Sequence, residues 1–96
     1  MHKLIIKQRA VIMTQEAYVW YETQLNGLGE SFITELDTCF KRIVKNPTFF
    51  GYIQNGFRSL TLKRFPYIII YEVTERQIIV FAVFHSFKDP LKRLNE

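Results

Sequence analysis

Residues 57–90 read FRSLTLKRFPYIIIYEVTERQIIVFAVFHSFKDP, and this stretch decides the fold. Three β-rich runs follow one another with only short turns between them. From Phe57 to Arg64, Leu60 and Leu62 share one face while Ser59, Thr61 and Lys63 share the other, the alternation of a half-buried strand. Phe65-Pro66 ends that run, because proline has no N–H to give to a ladder. Tyr67 to Val73 is a second strand, and Thr74-Glu75-Arg76 makes a tight turn. Gln77 to Phe84 is apolar on both faces, as expected of a central strand. From Ser86 to Glu96 the chain is polar and contains Pro90, which predicts a tail or a short terminal turn.

Working back toward the N-terminus, the period changes. Residues 48–56, TFFGYIQNG, read as an aromatic-rich loop with a turn signal at Asn55-Gly56. Leu28, Phe32, Leu36, Cys39, Phe40 and Ile43 recur at three- and four-residue steps and predict a helix from about Leu28 or Gly29 to Lys45. Asp37 and Lys41 form an i,i+4 pair on its outer face, and Asn46-Pro47 stops it. An earlier helix runs from about Ile12 to Leu25, with Met13, Ala17, Trp20, Tyr21 and Gln24 on one stripe and Glu16 and Glu22 among its solvated charges. Trp20 and Tyr21 are expected in the helix–sheet core. Asn26-Gly27 breaks this helix, and so short a link forces an antiparallel hairpin. His2 to Lys7 reads as a strand whose lysines face water or lie near a sheet edge.

The expected architecture is therefore α+β: an N-terminal strand, then a helical hairpin packed on one face of a mainly antiparallel sheet, in the order β-α-α-β-β-β. Residues 1–96 are expected to form a single domain. With 48% hydrophobic and 16% aromatic residues, the chain has ample material for a core. A net charge of +4 favours nucleic acid, an acidic protein partner or an anionic membrane surface, and is a mild signal on so small a domain. Cys39 is the lone cysteine and lies on the apolar face of the second helix, where a buried structural thiol is expected. The opening MHKLIIKQ is too short and too charged for a signal peptide, and no apolar run approaches a membrane span. The expected location is the cytoplasm, with no membrane partner. His2 and His85 are far apart in the chain and offer no ligand spacing, so no metal and no cofactor are expected.

Three stretches together resemble the RelE/ParE superfamily, the toxins of type II toxin–antitoxin systems. They are EAYVWYETQLNGLGESFITELDTCFKRIVKNP (Glu16 to Pro47), the basic run through KRFPYIIIYEV (Arg58 to Val73) and VFAVFHSFKDP (Val80 to Pro90). Their order along the chain is that of the family. The FPY turn and the H…DP ending look more like the ParE and plasmid-stabilisation branch than the RelE branch. The resemblance implies a growth-inhibiting toxin held inactive by a cognate antitoxin. Its target would be DNA gyrase if the chain is ParE-like; a RelE-like protein would be a ribosome-dependent mRNA endoribonuclease. A degenerate member without toxicity is a third reading.

The residue chemistry bears on this choice. RNA cleavage needs a base for the 2′-hydroxyl, cations for the charged transition state and an acid for the leaving oxygen. In a ribonuclease of this kind, Arg58, Arg64 and His85 would be the catalytic set, with Arg suited to the phosphate and His to proton transfer. Arg58, Lys63, Arg64, Phe87 and Lys88 are the candidates for binding a target or antitoxin. Alternation places Lys63 and Arg64 on opposite faces and gives Arg64 the parity of Arg58. The sheet side away from the helices is expected to be open and cationic. Phe49, Phe50, Tyr52 and Phe57 are either stacking platforms and anchors or a minor cluster beneath their loop. The resemblance implies a tyrosine at or after the last strand in a nuclease, but no Tyr follows His85 here. That departure argues against an enzyme.

Overall fold

The computed structural model of the chain describes residues 2–87. Its elements are β1 (Lys3–Ile6), α1 (Gln8–Gln24), α2 (Leu28–Lys45), β2 (Tyr52–Gln54), β3 (Phe57–Thr61), β4 (Tyr67–Val73) and β5 (Gln77–His85). The sheet order is β1-β5-β4-β3-β2. Only the β1–β5 pairing is parallel; β2 to β5 form an antiparallel meander. The α+β reading holds, and the lysine-bearing first strand is indeed a sheet edge.

One strand escaped the sequence pattern. β2 is only three residues long and mostly exposed, so it shows no alternation. It forms because Asn55 (φ 51°) and Gly56 (φ 81°) both adopt left-handed conformations, the geometry of a two-residue hairpin turn. β3 stops at Thr61, three residues before the expected end. α1 begins four residues earlier than its periodicity suggested. Gln8, Arg9 and Ala10 are good helix formers, and Ala10 is fully buried.

The main core lies between the helices and one sheet face. Phe32, Leu36, Cys39 and Ile43 of α2 pack with Leu60, Ile69, Tyr71, Ile78, Val80 and Val83. Four rings join the layers. Tyr21 approaches Phe65 at 4.9 Å and Phe32 at 5.5 Å, and Phe32 approaches Phe65 at 5.4 Å and Tyr67 at 5.1 Å between ring centroids. Cys39 is buried as expected; burial pushes its thiol pKa up, which keeps it inert. Trp20 departs from expectation, being 59% exposed. The buried stripe of α1 centres on Ala10 and Ala17, and Trp20 falls at its rim.

The opposite sheet face is not the open cationic surface expected. It carries a second apolar cluster of Ile70, Ala82 and Phe84, with Phe57, Ile68 and Met13 against it. A bulge in β5 shapes both faces. Ile70 pairs with Ala82 but Tyr71 pairs with Val80, so Phe81 is an extra residue. Ile78 and Val80 face the main core before it, and Val83 faces that core after it.

Gly27 (φ 91°) turns the chain between the helices. Glu22, expected as a solvated charge, instead reaches across the turn. Its carboxylate accepts the N–H of Gly29 at 2.9 Å and that of Gly27 at 3.1 Å. An anion thus sits on the otherwise unsatisfied N-terminal amides of α2. The approach is close: a Cβ at Gly29 would lie 2.8 Å from the Tyr18 carbonyl oxygen. Gly29→Ala should therefore lower stability by about 1–2 kcal/mol in urea unfolding, because prising the helices apart outweighs the gain of roughly 1 kcal/mol in helix propensity.

Candidate functional site

Arg58 leaves β3 on the same side as its partner across the ladder, Tyr71, and therefore toward the helix layer. Three of its five N–H donors are engaged there. One terminal nitrogen donates to the carbonyls of Phe50 (2.7 Å) and Thr48 (3.1 Å), and the other donates to the Tyr52 hydroxyl at 2.8 Å. The same group stacks on the Tyr52 ring, 4.0 Å from its centroid. The Tyr71 hydroxyl donates to the Pro47 carbonyl at 3.0 Å and pins the loop's other end. Burial raises the Tyr71 phenol pKa, and Arg58 only partly offsets it. Arg58 thus anchors residues 47–52. Phe50 is half-buried under Arg42, whereas Phe49 is 77% exposed and Tyr52 is also exposed.

Lys63 and Arg64 lie beyond the end of β3, so strand alternation does not govern them. Glu35 of α2 organises this turn. Its Oε2 accepts the backbone N–H groups of Lys63 (2.5 Å) and Arg64 (3.0 Å), and its Oε1 accepts Arg64 Nε at 3.0 Å. Only 12% of the Glu35 side chain is exposed, against 65% for Arg64. Sequence reasoning missed Glu35, although a signal was present. It stands three residues after Phe32 and four before Cys39, on the flank of the buried stripe. A carboxylate there needs a partner.

His85 lies at the far end of β5, opposite Tyr67. Its ring sits 5.3 Å from that of Tyr67 and 5.2 Å from that of Phe87. The Phe87 N–H donates to His85 Nδ1 at 3.3 Å, which leaves the proton of a neutral ring on Nε2. His85, Tyr67 and Val83 form one wall of a cleft of ≈ 160 Å³, and Met13, Glu16, Ala17 and Trp20 of α1 form the other. Burial raises the Tyr67 phenol pKa, with Tyr21 and Glu16 adding to the effect.

These positions do not form one centre. In register, Arg58 is level with Tyr71 and His85 with Tyr67. That separates them by roughly 13 Å along the strands and roughly 10 Å across two strand spacings. Arg64 shares the His85 end of the sheet but is drawn toward α2, whereas His85 faces α1. Phe87 is 86% exposed, and Lys88 lies outside the described residues.

A larger groove of ≈ 620 Å³ runs between β1 and α2. Leu4, Phe40, Val44 and Pro47 give it apolar walls, with His2, Asp37, Lys41 and Lys45 at its rim. Asp37 is paired with Lys41 at 3.0 Å. Among the described residues no helix is long and apolar enough to cross a membrane.

The arrangement has solved counterparts. A structure described as the chromosomal ParDE TA system from P. aeruginosa matches with a TM-score of 0.78 and 19% identity, covering 88% of this chain and 96% of that one. This likeness defines the fold class, a helical hairpin on a RelE/ParE-like sheet. The family model for the ParE toxin of type II toxin–antitoxin system, parDE, matches residues 4–90. The chain belongs to the ParE toxin family. No curated protein matches it in sequence.

The Glu35 clasp predicts a pH dependence. Burial pushes its carboxyl pKa up, but the backbone N–H and side chain of Arg64, the Lys63 N–H and the Arg64 charge together hold it below the usual 4.5. A lowered folded pKa contributes stability above the unfolded value and loses it as pH falls through the folded one. Stability should thus decline as pH drops below about 4.5. Glu35→Gln should give a less stable protein at neutral pH with a shallower acid limb, as read by urea unfolding at several pH values.

Proposed function

We propose that the chain is a ParE-like toxin that acts by binding and inhibiting DNA gyrase and is neutralised by a cognate antitoxin. Its family membership supports the reading. The single observation that carries the choice of binder over nuclease is the state of Arg58, whose guanidinium already holds two carbonyls and a phenol. A phosphate clamp needs a guanidinium turned toward its ligand near a proton-transfer group, whereas Arg58 is turned into its own loop. Arg64 is tied to Glu35, and His85 lies apart from Arg58 with no Tyr after it. A purified sample should inhibit gyrase supercoiling in vitro and arrest growth when expressed alone. Absence of inhibition at large molar excess overturns the gyrase target. In-cell mRNA cleavage that disappears in Arg64→Ala and His85→Ala would instead establish the ribonuclease. Harmless expression would mark a non-toxic member.

The groove between β1 and α2 suits the antitoxin. Its apolar walls would take the hydrophobic side of an amphipathic segment. With Asp37 and Lys41 paired, Lys45 beside His2 leaves the rim net basic, which suits an acidic segment that orders on binding. Val44→Asp, at a half-buried position on the groove wall, should weaken copurification of the adjacent-gene antitoxin at least about tenfold, the scale of one lost apolar anchor plus charge repulsion. The far-ultraviolet circular dichroism of the toxin alone should be unchanged. Retained binding places the antitoxin elsewhere.

A further inference from the structure

The cleft beside α1 has a chemistry opposite to the chain's net charge of +4. Glu16 is the one acidic residue in its lining, and among the described residues it has no hydrogen bond or ion pair. Around that carboxylate stand three ring systems, Trp20, Tyr67 and His85, and the stack continues from His85 to Phe87 at 5.2 Å. Trp20 is a large ring left 59% exposed at the rim, on a helix whose buried side is built from alanines.

Size and charge limit what such a cleft takes. At ≈ 160 Å³ it is about half the lower bound of roughly 300 Å³ for small-molecule sites, so it accommodates one side-chain head and not a nucleotide. A phosphate would meet the Glu16 carboxylate, unpaired among the described residues, and the negative faces of the rings. A purely apolar anchor would strip water from Glu16 and return nothing for it. A cation is favoured on both counts, by the carboxylate and by the ring faces. Among cations, a planar guanidinium stacks on aromatic rings and bonds a carboxylate through two donors. No group of three or more metal-ligating side chains occurs among the described residues, which sets a bound ion aside.

We propose that the cleft formed by Glu16, Trp20, Tyr67 and His85 is a docking site for one arginine side chain of a protein partner. This goes beyond the toxin reading and does not depend on whether gyrase is the target. It places a second contact beside α1, sharing no lining residue with the basic-rimmed groove between β1 and α2, and of opposite charge preference.

The chain supplies its own probe, because Trp20 is its only tryptophan. The full chain is titrated at fixed ionic strength with N-acetyl-argininamide while Trp20 emission and the His85 ring-proton resonances are followed. Both signals should change together and saturate. The citrulline analogue, equal in shape but neutral, should bind at least about tenfold more weakly, and the lysine analogue should fall between them. Glu16 is exposed, so Glu16→Gln should leave thermal unfolding unchanged while weakening arginine binding about three- to fivefold, the scale of an exposed ion pair. A capped pentapeptide with a central arginine among alanines should bind at least as well as the free amide. Equal binding of arginine and citrulline analogues, an unaffected Glu16→Gln protein, or exclusion of the pentapeptide would each overturn the proposal.

Discussion

Four rings from four elements meet beneath the β3–β4 turn: Tyr21 of α1, Phe32 of α2, Phe65 of the turn and Tyr67 at the start of β4. Each edge-to-face contact is worth about 0.5–1.5 kcal/mol beyond the area it buries. Their greater effect is positional. Phe65 can reach both helices only if the chain leaves β3 at Thr61 and folds back through Phe65-Pro66. That path delivers the Lys63 and Arg64 amides to Glu35, one turn along α2 from Phe32. It also sets Tyr67 opposite His85, so one wall of the α1 cleft is inherited from the core. A helix hairpin that shifted would disturb the clasp and the cleft together.

The cations show why net charge is a poor guide to a surface. Arg58 lies on the Tyr52 ring, Arg42 over Phe50, Lys7 over Phe81, and Arg64 against both Glu35 and Phe65. Each is tied to a neighbour; Arg58 and Arg42 meet at Phe50, while Lys7 and Arg64 lie elsewhere. These four cations are therefore not gathered on one sheet face. What distinguishes one region from another is the small local imbalance among the described residues: a basic rim beside β1 and the Glu16 carboxylate beside α1.

Much of the fold was legible in the sequence because its signals were periodic. α2 and β4 fall where hydrophobic spacing and the proline and glycine breaks put them. The rest depended on partners remote in sequence. β2 has no pattern of its own and is specified by its turn. Trp20 shared a helical stripe with Ala17, yet the stripe is narrow because alanines bring α1 close to β5. At the candidate site, parity correctly gave Arg58 the side of Leu60, but that side is filled by the loop after α2, not open to a ligand. Parity also gave Arg64 the helix side, although the strand ends at Thr61 and it is Glu35 that holds the side chain there. Glu22 looked like a solvent-facing charge, and Glu35 drew no notice, until the turns they hold were in place.

The extra residue at Phe81 has an evolutionary corollary. It shifts the phase of β5 by one, so Val83 and the His85 position address the helices instead of the reverse side. In a homologue with an uninterrupted final strand, the residue matched to His85 without a gap would emerge on the other surface of the sheet. Matching residue types column by column would then equate side chains that never occupy the same space. Local indel history, rather than conservation of the histidine itself, would decide whether two such proteins share a contact there.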